Sequence, residues 1–174
     1  MIHSYVEPGA EPLEQWLQAY GASHRNPINK AIHRVFVPVI AVATLGLFHP
    51  VPMSAVADAM PPLSLLLAAA AVGYYLRLSL RLGVVMAVLA TAAIAVIDLL
   101  YVALANAFVP LLIAMLAIAW IAQFVGHWFE GAKPSFAEDA QFLLIGPLWL
   151  LADTLSRLGM VPPSRPPYPS KGES

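Results

Sequence analysis

The chain contains no cysteine. That absence excludes disulfides, thiolate metal sites and cysteine nucleophiles, and it leaves the redox compartment open. Charge is scarce as well: 11% of the 174 residues are charged, against roughly 25% in an ordinary soluble domain. The net charge of −1 provides no basic field for nucleic acid, and no nucleic-acid recognition motif is present. The N-terminal region through Lys30 is polar and amphipathic and holds no apolar run of the signal-peptide kind. What is abundant is apolar: 60% of the residues are hydrophobic. These proportions describe a small polytopic membrane protein.

A bilayer crossing needs about 20 apolar residues, with a range near 17–25. Four segments qualify: a short one from Val35 to about His49, one beginning after Pro61 and Pro62 (LSLLLAAAAVGYYLRLSL), one from Leu82 to Ala105, and one from Phe108 to Phe129. The last two are separated by so short a turn that they must run antiparallel. A fifth apolar stretch, Phe142 to Ala152, is too short to span and carries Gly146-Pro147 at its centre, where proline removes a helical hydrogen bond. Ser135 and Glu138 form a capping-box pattern for its start, and Gly159 would end it. It reads as a kinked interfacial or re-entrant helix. The expected fold is therefore all-α: four transmembrane helices, an amphipathic N-terminal helix and this C-terminal helix.

Charge fixes the orientation. With the N-terminus cytoplasmic, all 9 Lys and Arg lie on one face, while the outer loops hold only Asp58, as the positive-inside rule expects. Leu13, Trp16, Leu17 and Tyr20 recur at i, i+3, i+4 and i+7, the stripe of an amphipathic helix lying on the cytoplasmic surface and stopping at Gly21. The tail VPPSRPPYPSKGES is proline-rich and expected to be disordered, so residues 1–160 form one membrane domain and 161–174 an appendage. No internal repeat is visible.

The stretch ASHRNPINKAIHR, residues 22–34, concentrates polar chemistry at the inner edge. Asn26 then Pro27 reads as an N-cap and a first helical residue. A helix starting there sets Asn29 and His33 on one face at i, i+4, and His24 lies two residues before the cap. The fourth span ends in QFVGHWFEG, with His127 and Glu130 at i, i+3, Gln123 one turn earlier, and Gly126 permitting close approach of another backbone. The order of the spans brings this end to the same inner edge. Three histidines and a carboxylate thus converge from distant segments.

Taken singly, each of these residues has a plainer reading, as an interfacial hydrogen-bonding histidine or a solvated charge. Ionisable groups meeting beside spans tend to be functional, and a metal site is the sharper alternative. Imidazoles with one carboxylate suit Zn, Fe or Mn, and an open site of this kind suits non-haem Fe(II) with O2. A di-iron carboxylate cluster needs more Glu and His than this edge supplies. The chain has 5 histidines. His49 falls at the opposite face as a loop residue, and His3 belongs to the N-terminal arm. Asp98 reads as an interhelical hydrogen-bond partner. Arg25, Lys30 and Arg34 either fix topology or hold a substrate carboxylate.

The pairing of HRNPINKAIHR with QFVGHWFEGAKPSF resembles the Fe(II)-dependent 2-hydroxy fatty acid dioxygenases, the family of the phytosphingosine-to-odd-numbered-fatty-acid α-oxidation step. The matching positions are His24, Asn29, His33, Gly126, His127, Phe129, Glu130 and Pro134, with Pro38 and the IGPLW segment also similar. Ser135 stands where a small apolar residue is expected. The resemblance spans most of residues 16–150. It implies an Fe2+ enzyme that uses O2 to shorten a 2-hydroxy fatty acid by one carbon. It further implies His24, His33 and His127 as iron ligands, Glu130 as a fourth ligand or an orienting group, and Asn29 as a hydrogen-bond partner beside them. The acid would chelate iron through its hydroxyl and carboxylate, its chain remaining among the apolar helices.

Two rivals follow from the same residues: a zinc-dependent intramembrane lipid hydrolase of the ceramidase kind, in which the metal activates water, and a non-catalytic membrane scaffold. A bacterial inner membrane, or the endoplasmic reticulum in a eukaryote, is the expected location.

Overall fold

The computed structural model describes residues 12–49, 61–137 and 140–160. Among these residues the chain is all-helical: α1 Pro12–Ala22, α2 Pro27–Leu47, α3 Leu63–Leu78, α4 Leu80–Leu104, α5 Phe108–Glu130 and α6 Phe142–Arg157. Single 3₁₀ turns occupy Ala105–Ala107 and Ser135–Ala137. His3, Asp58, Glu138, Arg165, Lys171 and the whole 161–174 tail lie outside the described residues. Two compact units result, one from Val35–Ala122 and the other from the segments before and after it.

In the Val35–Ala122 unit, α3 and α4 pack together, joined by the single extended residue Ser79, at φ −159° and ψ 119°. Its hydroxyl accepts from the Leu82 amide at 3.4 Å, which satisfies one of the donors a helix start leaves free. Gly83 allows the contact, because a Cβ there would lie 2.7 Å from the Leu76 backbone. The core is Ala43, Ile97, Phe108 and Leu112, each at most 1% exposed. His49, just past α2, sets Nε2 3.3 Å from Asp98 Oδ1 and Nδ1 3.2 Å from Ser64 Oγ. Asp98 was expected to meet another helix; its contact is instead with the His49 ring, in the segment just beyond α2.

Two helical stretches are long and apolar enough to cross a membrane: α2, and the 51 residues from Leu80 to Glu130 that contain α4 and α5. α3 has 16 residues, one short of the usual minimum of about 17. Large apolar side chains stand outward along α4 and α5, Val102 at 80% exposure and Ile121 at 64% among them. So extended an apolar surface favours a lipid or protein neighbour over water.

In the other unit, the aromatic stripe of α1 is covered by α6. Trp16 meets Phe142 edge-on at 5.4 Å, and Tyr20 packs on Trp149 at 5.3 Å. The apolar partner of the stripe is thus α6. The start of α6 also differs from the capping-box expectation. The helix begins at Phe142 with Gln141 at its N-cap and no side-chain cap bond. The Ser135 hydroxyl is instead engaged with the Ser23 hydroxyl. α6 continues through Pro147 to Arg157 and stops before Gly159, as expected.

Candidate metal centre

The beginning of α2 and the end of α5 cap one another. Asn26 Oδ1 accepts from the Ile28 amide at 2.9 Å, the N-cap bond that Asn-Pro predicts. Its Nδ2 donates to the Phe129 carbonyl at 2.9 Å, one of the carbonyls left free at the end of α5. In return, Glu130 accepts from the Arg25 amide (2.7 Å) and the Asn26 amide (2.9 Å). Its Oε2 also takes a bond from Asn29 Nδ2 at 3.0 Å. A carboxylate here complements the positive end of the α2 dipole.

This joint brings three buried histidines together. His24, His33 and His127 are 1%, 4% and 6% exposed, and they offer ligand atoms that all lie within 4.8 Å of one another. Tyr20 stacks flat on His24, centroids 4.0 Å apart and planes at 6°.

The hydrogen bonds fix the tautomers. His24 Nδ1 lies 2.7 Å from the Tyr20 carbonyl, and His33 Nδ1 lies 3.0 Å from the Asn29 carbonyl. A carbonyl only accepts, so both Nδ1 atoms carry the proton and donate. Each Nε2 is then left with a lone pair, yet the two Nε2 atoms are 3.0 Å apart. Two acceptors at that distance cannot satisfy each other. A second proton is disfavoured too: burial, then the neighbouring His33, holds the His24 pKa well below the ordinary imidazole value despite the Tyr20 carbonyl bond. Two converging neutral lone pairs, with the His24 and His33 rings each held by a backbone carbonyl and His127 beside them, are a donor set suited to a metal ion. The residues fit a metal, and an all-imidazole set of this kind is compatible with iron or zinc.

Gly126 makes the approach possible. A Cβ there would lie 2.5 Å from Asn29 Oδ1, and Asn29 is pinned through its Nδ2 by Glu130 and by the Ser23 carbonyl. Gly126→Ala must therefore displace Asn29, and overpacking of this kind destabilises by about 1–3 kcal/mol. A lowered thermal midpoint with reduced metal retention is the expected result.

Among the basic residues, Arg34 donates to Asp153 at 2.9 Å, and Asp153 also accepts from Arg157 at 2.9 Å. Arg34 is thus engaged in an ion pair between α2 and α6. Arg25 contributes its backbone to Glu130, and Lys30 is half-buried on α2. Asp153 is a further polar residue of this unit, signalled in the sequence only by its i, i+4 spacing to Arg157. Burial alone would raise the Asp153 carboxyl, but hydrogen bonds from Arg157 and Arg34 hold it below the ordinary range. A depressed folded-state value means stability that is present above the unfolded carboxylate range and is lost as pH falls through the lowered value. Thermal midpoints followed from pH 6 to about 3 should fall in the native protein, and the Asp153→Asn protein should show a shallower decline.

Gln123 and Asn29 are also buried, at 4% and 0% exposure. Glu130 does not belong to the converging set, which consists of the histidines alone among the described residues.

Compared with known families, residues 10–158 match the one described as 2-hydroxy-palmitic acid dioxygenase Mpo1-like. The chain belongs to the Mpo1-like family. It is also similar to the 2-hydroxy-palmitic acid dioxygenase MPO1 of Saccharomyces cerevisiae, with 31% identity over 160 residues covering 88% of this chain and 86% of the yeast protein. No solved structure matches it. In this Mpo1-like chain the family match contains all three histidines: His24 in the α1–α2 connection, His33 on α2 and His127 on α5.

Proposed function

We propose that this chain is an Fe2+-dependent dioxygenase that shortens 2-hydroxy fatty acids by one carbon, using O2. The observation that carries the reading is the 3.0 Å approach of two unprotonated Nε2 atoms with His127 beside them. The Mpo1-like family and the yeast relative's name supply the substrate class. His24, His33 and His127 would hold the ion, with Glu130 and Asn29 tying the α1–α2 connection and the start of α2 to the end of α5. Bound iron would supply the redox chemistry that lets O2 react with an organic acid.

The protein's own part is to bind, orient and exclude. The carbonyls of Tyr20 and Asn29 hold two rings in one tautomer, and Tyr20 and Trp149 shield His24 from water. Arg25 and Lys30 are the nearby cations proposed to attract the carboxylate, while Arg34 joins them only if released from Asp153. The proposed setting is a membrane crossed four times, by α2, α3, α4 and α5, with the N-terminus and the histidines on the cytoplasmic side of a bacterial inner membrane. In a eukaryote the same arrangement belongs to the endoplasmic reticulum.

The test is metal analysis of detergent-purified protein, followed by oxygen uptake with 2-hydroxypalmitate on adding Fe2+. Iron near one per chain, substrate-dependent uptake and a fatty product one carbon shorter support the reading. Tightly held zinc with no uptake would replace it with the zinc-dependent lipid hydrolase.

A further inference from the structure

Three buried residues of this unit retain side-chain polar atoms without a hydrogen-bond partner among the described residues: Asn29 (Oδ1), Gln123 (Oε1 and Nε2) and His127 (Nδ1). Gln123 stands apart, because both ends of its carboxamide are unpaired and the residue is only 4% exposed. It precedes His127 by four positions on α5, so the two share a helix face one turn apart. Gly126 lies between them and takes the Asn29 carboxamide against its backbone. Burying an amide with neither donor nor acceptor satisfied opposes folding. A leucine would fill the same volume without that penalty. Such a group is explained when something else arrives to meet it.

We propose that Gln123 is a specificity-determining residue that reads the polar head of the acid at the histidine cluster. A 2-hydroxy carboxylate offers an acceptor oxygen and a hydroxyl donor on adjacent carbons. A carboxamide offers the complementary pair, Nε2–H to the carboxylate and Oε1 to the hydroxyl. An unsubstituted fatty acid lacks the hydroxyl and leaves Oε1 unpaired, so Gln123 discriminates against it. Sites built to hydrogen-bond a substrate hydroxyl reject the analogue without it, because their own polar groups are then left unpaired. This inference rests on the dioxygenase reading above.

The experiment compares full-length native protein with Gln123→Leu and with Gln123→Met, a second apolar variant that fills the space flexibly. Each is loaded with Fe2+ under anaerobic conditions. Binding of 2-hydroxypalmitate and of palmitate is measured by titration, together with iron content, thermal midpoint, KM and kcat. The expected result is a loss of about 10- to 100-fold in preference for the hydroxylated acid, seen as raised KM. Palmitate, which can use only the carboxylate contact, is affected less than the hydroxylated acid; iron content stays unchanged, and the ligand-free thermal midpoint is equal or higher. Retained preference in both variants would overturn the assignment. So would a parallel loss of iron, which would make Gln123 a support for the metal site. If native protein shows no oxygen uptake with 2-hydroxypalmitate, the dioxygenase reading fails and this inference with it. Uptake in native protein with undiminished preference in the variants sinks this inference alone.

Discussion

Replacing His33 with alanine is expected to strip iron from the purified protein and to abolish substrate-dependent oxygen uptake, with the helices retained. His33 brings one of the two Nε2 lone pairs that meet at 3.0 Å. Its ring direction is set by its own helix through the Asn29 carbonyl one turn earlier. Among the described residues, no histidine other than His24 and His127 joins His33 in the converging group. Changing groups that merely orient a ligand lowers metal affinity about 10–100-fold, and removing the ligand itself should exceed that. Apo protein should be affected little, since the change also removes the unfavourable facing of two acceptors. His49→Ala is the matching control. That ring is paired with Asp98 and Ser64 in the Val35–Ala122 unit and should leave iron content unchanged. Full iron and full turnover in the His33→Ala protein would remove this residue from the centre.

Much of this centre is legible in the residues themselves. Asn26-Pro27 states where α2 begins, and the i, i+4 relation of Asn29 to His33 follows from helical spacing alone. His127 and Glu130 fall at i, i+3 for the same reason. Topology supplied the rest of the juxtaposition, since a helix end and a helix start must share an edge for these residues to meet. The roles within the cluster were harder to see. Spacing does not tell whether a carboxylate faces the histidines or the backbone amides across from it, and Glu130 faces the amides of Arg25 and Asn26. Nor does the periodic stripe of α1 say which apolar partner covers it; the answer, α6, depends on aromatic contacts between segments over a hundred residues apart. Ser135 shows a local signal overridden: a capping pattern is present, but the hydroxyl is taken by Ser23.

Glu130→Gln separates a ligand from a positioning group. If Glu130 bound iron directly, its loss should resemble that of a histidine. The hydrogen bonds favour the other role. Its two oxygens serve three donors, the Arg25 and Asn26 amides and Asn29 Nδ2. Glutamine keeps the length and one acceptor oxygen but turns an NH2 toward groups that also donate. At least one of the three bonds is lost, and the negative charge at the α2 N-terminus disappears with it. The start of α2 then loosens, and with it Asn29, whose carbonyl holds the His33 ring. Iron affinity should fall by about 10–100-fold, and raising the Fe2+ concentration should recover most of the oxygen uptake. His33→Ala should show no such recovery. Titrating uptake against Fe2+ in both proteins measures the difference directly. A Glu130→Gln protein that stays inactive at saturating Fe2+ would assign the carboxylate to the reaction or the metal itself; recovery assigns it to holding the two helix ends on which the histidines depend.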